Sequence, residues 1–249
     1  MSPLHSLIGK NFAVATTFPK ISTEGLVLHL DAGQQNSYKG SETTWTDLSG
    51  NSNTGTLTGG INYSSNNGGY LTITDGVRYV SIAQTSVLTY PGDFTMESWF
   101  MITHQPDGTF PSAIFSAWDS GPLSTNSRFI VYVNSLYQLV AQLKGQNTDV
   151  IHQTSISLNT WYHVALVRSS SVFSTYLNTV PSTQTGTSST NLTSVLDTLI
   201  GYYSSASGYS IKGRVAVYRV YNNRALTATE IMQNFNTLRG RFGVWDYGW

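Results

Sequence analysis

Glycoside cleavage needs two carboxylates held about 5 to 9.5 Å apart, and this sequence offers little from which to build such a pair. It has four glutamates. Glu24 precedes the first strand-like run, Glu42 falls in a loop, and Glu230 stands three residues after Thr227, where it caps a helix. Glu97 alone lies within a strand-like run, and no second carboxylate inside that run shares its face; its nearest acidic neighbour, Asp93, stands just before the run. The five histidines, His5, His29, His104, His152 and His163, form no H-x-x-x-H pair. With no cysteine, thiolate nucleophiles, disulfides and cysteine-based zinc sites are excluded together. Serine is abundant, but there is no G-x-S-x-G elbow and no Walker loop. The stretch DLSGNSNTG from Asp47 to Gly55 places oxygen ligands at alternate positions in the manner of a calcium loop, yet it carries one carboxylate where calcium sites gather several. A hydrogen-bonded Asn/Gly turn is the expectation there. A calcium ion at the rim near Asp47 or Asp75 is the disfavoured alternative, and no cofactor is expected.

With catalysis poorly supplied, binding chemistry comes next. Trp118 ends a strand-like run and is followed by Asp119 and a polar loop, so its indole is a candidate stacking platform for a sugar, with Asp119 beside it. The competing reading is a half-buried residue at a strand end, which is what apolar bodies more often become. Residues 1–21 read as an arm whose Leu4, Leu7, Ile8, Phe12 and Phe18 have no period of 2 or 3.6 and need a surface. Residues 241–249 read as a tail bearing Phe242, Trp245, Tyr247 and Trp249, the kind of large side chain that anchors interfaces. Both ends are therefore candidates for docking a partner, the alternative being that they fold back on their own domain.

The elements that must position these groups are short and numerous. Only 10% of the 249 residues are charged, 13 basic against 13 acidic, so neither nucleic acid nor an anionic membrane is favoured as partner. No apolar run approaches the roughly 20 residues that span a bilayer, and the first ten residues lack the basic region of a signal peptide, so Sec-type export is not expected. From Gly25 onward β-like runs follow one another: Gly25 to Asp31, Tyr70 to Thr74, Tyr79 to Ala83, Phe94 to Ile102, Ala113 to Trp118, Phe129 to Val133, Tyr137 to Leu143, Trp161 to Arg168, Val172 to Asn178, Thr198 to Tyr202 and Lys212 to Tyr221. Clusters of Gly, Asn, Ser and Asp separate them. In the last run strict alternation puts Val215, Val217, Arg219 and Tyr221 on one face and Arg214, Ala216, Tyr218 and Val220 on the other. Both faces are partly apolar, which belongs to a strand covered on both sides. One helix is signalled after Leu226, with a Thr227/Glu230 capping box, a Leu226/Ile231 staple, and a stripe of Ile231, Phe235 and Leu238. The prediction is an all-β sandwich of two antiparallel sheets with one short C-terminal α-helix, spanning residues 22–240.

The segments GLVLHLDAG (25–33), TTWTDLSGNSNTGTLTGG (43–60), WYHVALVR (161–168) and KGRVAVYRVYNNRALTATEI (212–231), in this order, resemble the laminin G-like, concanavalin A-like lectin/glucanase domain, which implies a jelly-roll fold. LDAG joined to WTDLSGN, with NFNTLRGRFGV (234–244) at the close, is similar to a subgroup found in structural proteins of tailed phages. That likeness implies a virion protein assembled in the host cytoplasm: a capsid decoration, head fibre or tail appendage. Its partners would be other virion proteins, further copies of itself, and host surface glycans. The chain departs from the family at TDGVRYV (74–80), where Arg78 stands in a neighbourhood that is often acidic, which weakens an inherited calcium site. The expected function is non-catalytic binding in a virion, the alternatives being a carbohydrate-binding adhesin and, more remotely, a polysaccharide-degrading enzyme.

Overall fold

A computed structural model describes residues 20–74, 76–106, 112–118, 128–193, 196–203 and 210–245. Its first strands are β1 (Leu26–Asp31), β2 (Thr44–Trp45), β3 (Gly55–Thr58), β4 (Asn62–Ser64), β5 (Tyr70–Ile73), β6 (Tyr79–Ile82), β7 (Phe94–Ile102) and β8 (Ser112–Ala117). There follow β9 (Phe129–Val133), β10 (Gln138–Leu143), β11 (Val150–Ser155), β12 (Trp161–Ser169), β13 (Val172–Leu177), β14 (Val180–Pro181), β15 (Gly186–Thr187), β16 (Thr198–Ile200), β17 (Gly213–Asn222) and the helix α1 (Ala228–Leu238). They form two antiparallel sheets. One has the order β14-β13-β12-β7-β17-β5-β4, with β1 also on β17 and β15 also on β13; the other runs β11-β10-β9-β8-β16-β6-β3-β2. This is the expected jelly-roll sandwich with one helix.

Alternation in β7 divides two apolar layers. Phe94, Met96, Phe100 and Ile102 face the space between the sheets, with Leu28, Leu30, Phe115, Phe129, Val131 and Tyr218 among their neighbours in the main core. The opposite face of β7 carries Thr95, Glu97, Trp99 and Met101, and all are buried too. What covers them is α1 and the chain after it. Phe235 and Phe242 join Trp99, Met101, Trp161 and Val217 in a second cluster, and Leu226 and Ile231 join Ala165, Val167 and Tyr221 in a third. The helix is cut by the signals read from sequence: the Thr227 hydroxyl accepts the Glu230 N–H (3.3 Å) and Glu230 Oε2 accepts the Thr227 N–H (2.9 Å).

The face assignment in β17 needs one correction. Val215 pairs with Phe100 and Val217 with Trp99, so Ala216 is an extra residue in a β-bulge. The bulge reverses the alternation: Val215, Tyr218 and Val220 pack in the main core, whereas Ala216, Val217 and Tyr221 lie under the helix side. Its cause is a change of partner. β17 pairs with β5 over Gly213–Val215 and with β1 from Val217 onward, and at the junction the Ala216 carbonyl accepts the Ala32 N–H (2.9 Å). Tyr137 and Lys212, read as first residues of strands, instead have φ of 60° and 35° in the turns before them.

Candidate functional site

Glu97, the one glutamate on a strand, is 1% exposed beneath α1. Its Oε2 accepts from Asn234 Nδ2 at 2.8 Å and lies 3.8 Å from the Arg219 guanidinium, while Oε1 is 3.5 Å from His163 Nε2. Asn234 sits inside the helix stripe between Ile231 and Phe235, and its Nδ2 also reaches the Tyr221 hydroxyl (2.9 Å), which donates to the Ser22 carbonyl (3.0 Å). Burial first, then the charge of Glu97, pushes the Tyr221 phenol well above its ordinary range. Asp93 is engaged elsewhere, accepting the Ser170 N–H at 2.8 Å. Glu97 thus serves as a buried counter-ion that sets the register of the helix on the sheet.

The motif residues behind the family likeness also hold the chain together. Asp31 accepts the Gly33 N–H (2.8 Å) and the Arg241 guanidinium (2.6 Å), and Arg241 donates further to the Asn67 (2.7 Å) and Gly69 carbonyls. A Cβ on Gly33 would clash with the Gly68 carbonyl oxygen and stand 2.6 Å from the carbon of that guanidinium, so the glycine makes room for both. Asp47 accepts the N–H groups of His29 (2.9 Å), Ser49 (2.8 Å) and Asn53 (3.0 Å) and the Ser49 hydroxyl (2.8 Å). A carboxylate ringed by donors does not fit a cation; the hydrogen-bonded turn does. Arg78 donates to the Thr74 hydroxyl next to Asp75, which lies outside the described residues. Among the described residues no three His, Asp or Glu side chains gather as a metal site. Arg168 ties the Tyr90 (2.8 Å), Gly92 (2.9 Å) and Thr190 (2.9 Å) carbonyls together, with Phe94 under its guanidinium.

A cleft of about 450 Å³ opens between α1, the start of β12 and the turn that leads from β13 into β14, with residues 243–245 as a further wall. Trp161 and Phe235 line it as buried residues, while Val180, Met232 and Trp245 are 38%, 46% and 67% exposed. Asn178, Asn236, Thr160 and Thr179 supply its polar groups. Its base is rigid: Phe242 stacks on Trp99 at 4.4 Å and contacts Trp161 at 4.6 Å, and Phe235 stacks on Trp99 at 5.4 Å. Asn178 is fixed as well, its Oδ1 accepting the His163 N–H at 2.8 Å.

Of the residues singled out from sequence for binding or docking, Trp118, Phe242 and Trp245 fall among the described residues. Trp118 is half-buried at the end of β8. Asp119, Leu4, Leu7, Ile8, Phe12, Phe18, Tyr247 and Trp249 lie outside the described residues. Phe242, expected in a docking tail, is corrected: it is 5% exposed and packed on the sandwich, because the Arg241 contacts fold residues 241–244 back over Trp99 and Trp161. Trp245 remains on the surface as one wall of the cleft. Sequence reasoning missed Trp161, Asn178, Met232 and Asn236. Met232 alone carried a signal, being an apolar residue off the buried stripe of a helix.

A model of the concanavalin A-like lectin/glucanases superfamily matches residues 74–232, more than half of the chain. The chain belongs to this superfamily. A search of the curated proteins gave no match. Among solved structures, this concanavalin A-like domain is similar to a Trypanosoma rangeli sialidase, with TM-score 0.66 and 20% identity, over 87% of this chain and 33% of that one. It is also similar to the binding domain of Paraclostridial Mosquitocidal Protein 1, with TM-score 0.66 and 15% identity over 85% of this chain and 52% of that one. A third likeness is to domain 4 of an extracellular arabinanase from Geobacillus stearothermophilus, solved in complex with arabinotriose. Its TM-score is 0.61 at 15% identity, over 84% of this chain and 97% of that domain. The chain therefore spans about a third of the sialidase and about half of the mosquitocidal binding domain.

Proposed function

We propose that this concanavalin A-like domain works by binding and not by catalysis, that carbohydrate is what it binds, and that it is displayed on a virion assembled in the host cytoplasm. The observation that carries the first part is the burial of Glu97, the single carboxylate placed on a strand among the glutamates, in a network that leaves it no face toward a substrate. Support for carbohydrate comes from the fold and from the arabinotriose bound by the similar arabinanase domain. Support for the virion comes from LDAG, WTDLSGN and NFNTLRGRFGV, whose Asp31 and Arg241 are the two ends of one ion pair. Other virion proteins and further copies of this chain are then its partners.

The test has two arms. Purified protein is incubated with a panel of algal and bacterial polysaccharides and assayed for new reducing ends and for retention on glycan arrays; retention without cleavage is expected. Cleavage abolished by Glu97→Gln would overturn the non-catalytic reading. Mass spectrometry of purified virions is expected to find the protein, hundreds of copies marking a capsid decoration and a few tens or fewer a tail or vertex, and its absence from particles would remove the virion placement.

A further inference from the structure

We infer that the cleft between α1, the start of β12 and the β13–β14 turn is a binding site for an uncharged saccharide, with the Trp245 indole as its stacking platform and Asn178 and Asn236 as its hydrogen-bonding groups. The inference rests on the proposed carbohydrate-binding function and assigns it a place and a ligand class. Among the described residues, none that lines the cleft carries a charge. A sialylated, sulfated or uronate-bearing sugar calls for arginine or lysine against its anion, and the nearby Arg241 is committed to Asp31, Asn67 and Gly69.

What the cleft does present suits a neutral sugar ring, which has one apolar face and an equator of hydroxyls. Trp245, 67% exposed, offers a large flat apolar surface, flanked by Val180 and Met232. Asn178 and Asn236 can each donate and accept toward hydroxyls, and because Asn178 Oδ1 is held by the His163 N–H, its Nδ2 is the group left for a ligand. The volume falls in the range of roughly 300 to 1,000 Å³ that small-molecule sites occupy. A protein partner would need a far broader surface, on the order of 800 Å² on each side. Preorganisation is built in, since the floor is made of side chains wedged between helix and sheet.

The full-length protein is titrated by calorimetry with neutral oligosaccharides (gluco-, manno-, galacto- and arabino-) and with sialylated, sulfated and uronate-bearing ones, following tryptophan fluorescence in parallel. At least one neutral oligosaccharide is expected to bind and to perturb the fluorescence. Trp245→Ala and Asn236→Ala are each expected to weaken binding at least tenfold with unchanged melting, whereas Leu136→Ala, an exposed site on the other sheet, leaves affinity as it was. Saccharide binding that survives both cleft variants, or that selects charged sugars and weakens with added salt, overturns the cleft assignment while the carbohydrate-binding reading stands. A wild-type protein that binds no saccharide overturns that reading and this inference together. If Trp245→Ala instead blocks joining to particles and no sugar titrates, the cleft is a protein contact and the inference is wrong.

Discussion

Glu97 and Arg219 are both 1% exposed, so each depends on the other to make its charge tolerable in the interior. Glu97→Gln keeps an acceptor for Asn234 but leaves the guanidinium unneutralised. It is expected to lower stability by about 3–5 kcal/mol in urea titration while saccharide binding by the folded fraction is retained. His29 makes a second prediction. Burial first, and then Arg219, lower its pKa to about 4, against a weaker pull upward from Asp31 and Asp47. The folded protein therefore holds it neutral where the unfolded chain, with the ordinary value of 6.5, takes up a proton. Its contribution is complete above about pH 6.5 and is lost as pH falls toward 4, by up to about 3 kcal/mol. Urea titrations at pH 7 and pH 4.5 should show that loss, and His29→Gln should flatten the slope in this window.

At the scale of elements, α1 matters more than its eleven residues imply, because the outer face of β7 and β17 presents Trp99, Met101, Ala216, Val217 and Tyr221 around the Glu97–Arg219 pair and needs a cover. Phe235 stacks on Trp99 and is 3% exposed, so Phe235→Ala should cost about 3–5 kcal/mol; a loss below about 1 kcal/mol would make the helix peripheral. The helix itself was legible from Thr227, Glu230, Ile231, Phe235 and Leu238, since capping and stripe are local properties of consecutive residues. The central strands were legible for the same reason. The peripheral strands β2, β3, β4, β11, β14 and β15, at the sheet edges or, for β3, next to one, were not, as these segments become strands through a neighbour's hydrogen bonds and not through their own pattern. The bulge at Ala216 was hidden too, because it answers to a change of partner strands.

For the whole molecule, the decisive contact is Arg241 with Asp31, which joins the end of the chain to the end of its first strand across 210 positions. A double-mutant cycle on Asp31→Asn and Arg241→Gln should give a coupling of roughly 0.5–3 kcal/mol. A chain ending at Gly240 loses both Arg241 and Phe242, and its melting temperature should fall by more than any single surface substitution lowers it. Unchanged melting of that truncated chain would mean that residues 241–245 contribute nothing to the sandwich and act as a free tail.

The sequence by itself determined the all-β class, the two-sided burial of β17, the capped helix and its stripe, and the superfamily, because each is written in periodicity or in contiguous motifs. It also determined that Glu97 has no partner carboxylate within its own run. Only the tertiary structure decided that Glu97 is sealed under Asn234, that Phe242 belongs to the core while Trp245 stands at the surface, and that Trp161, Asn178, Asn236 and Trp245 share a cleft. Trp161 and Asn178 stand 58 or more positions before Asn236 and Trp245, and no local pattern links the two pairs. They meet because an apolar outer face of one sheet must be removed from water, and the helix and chain end that cover it leave a gap at their border.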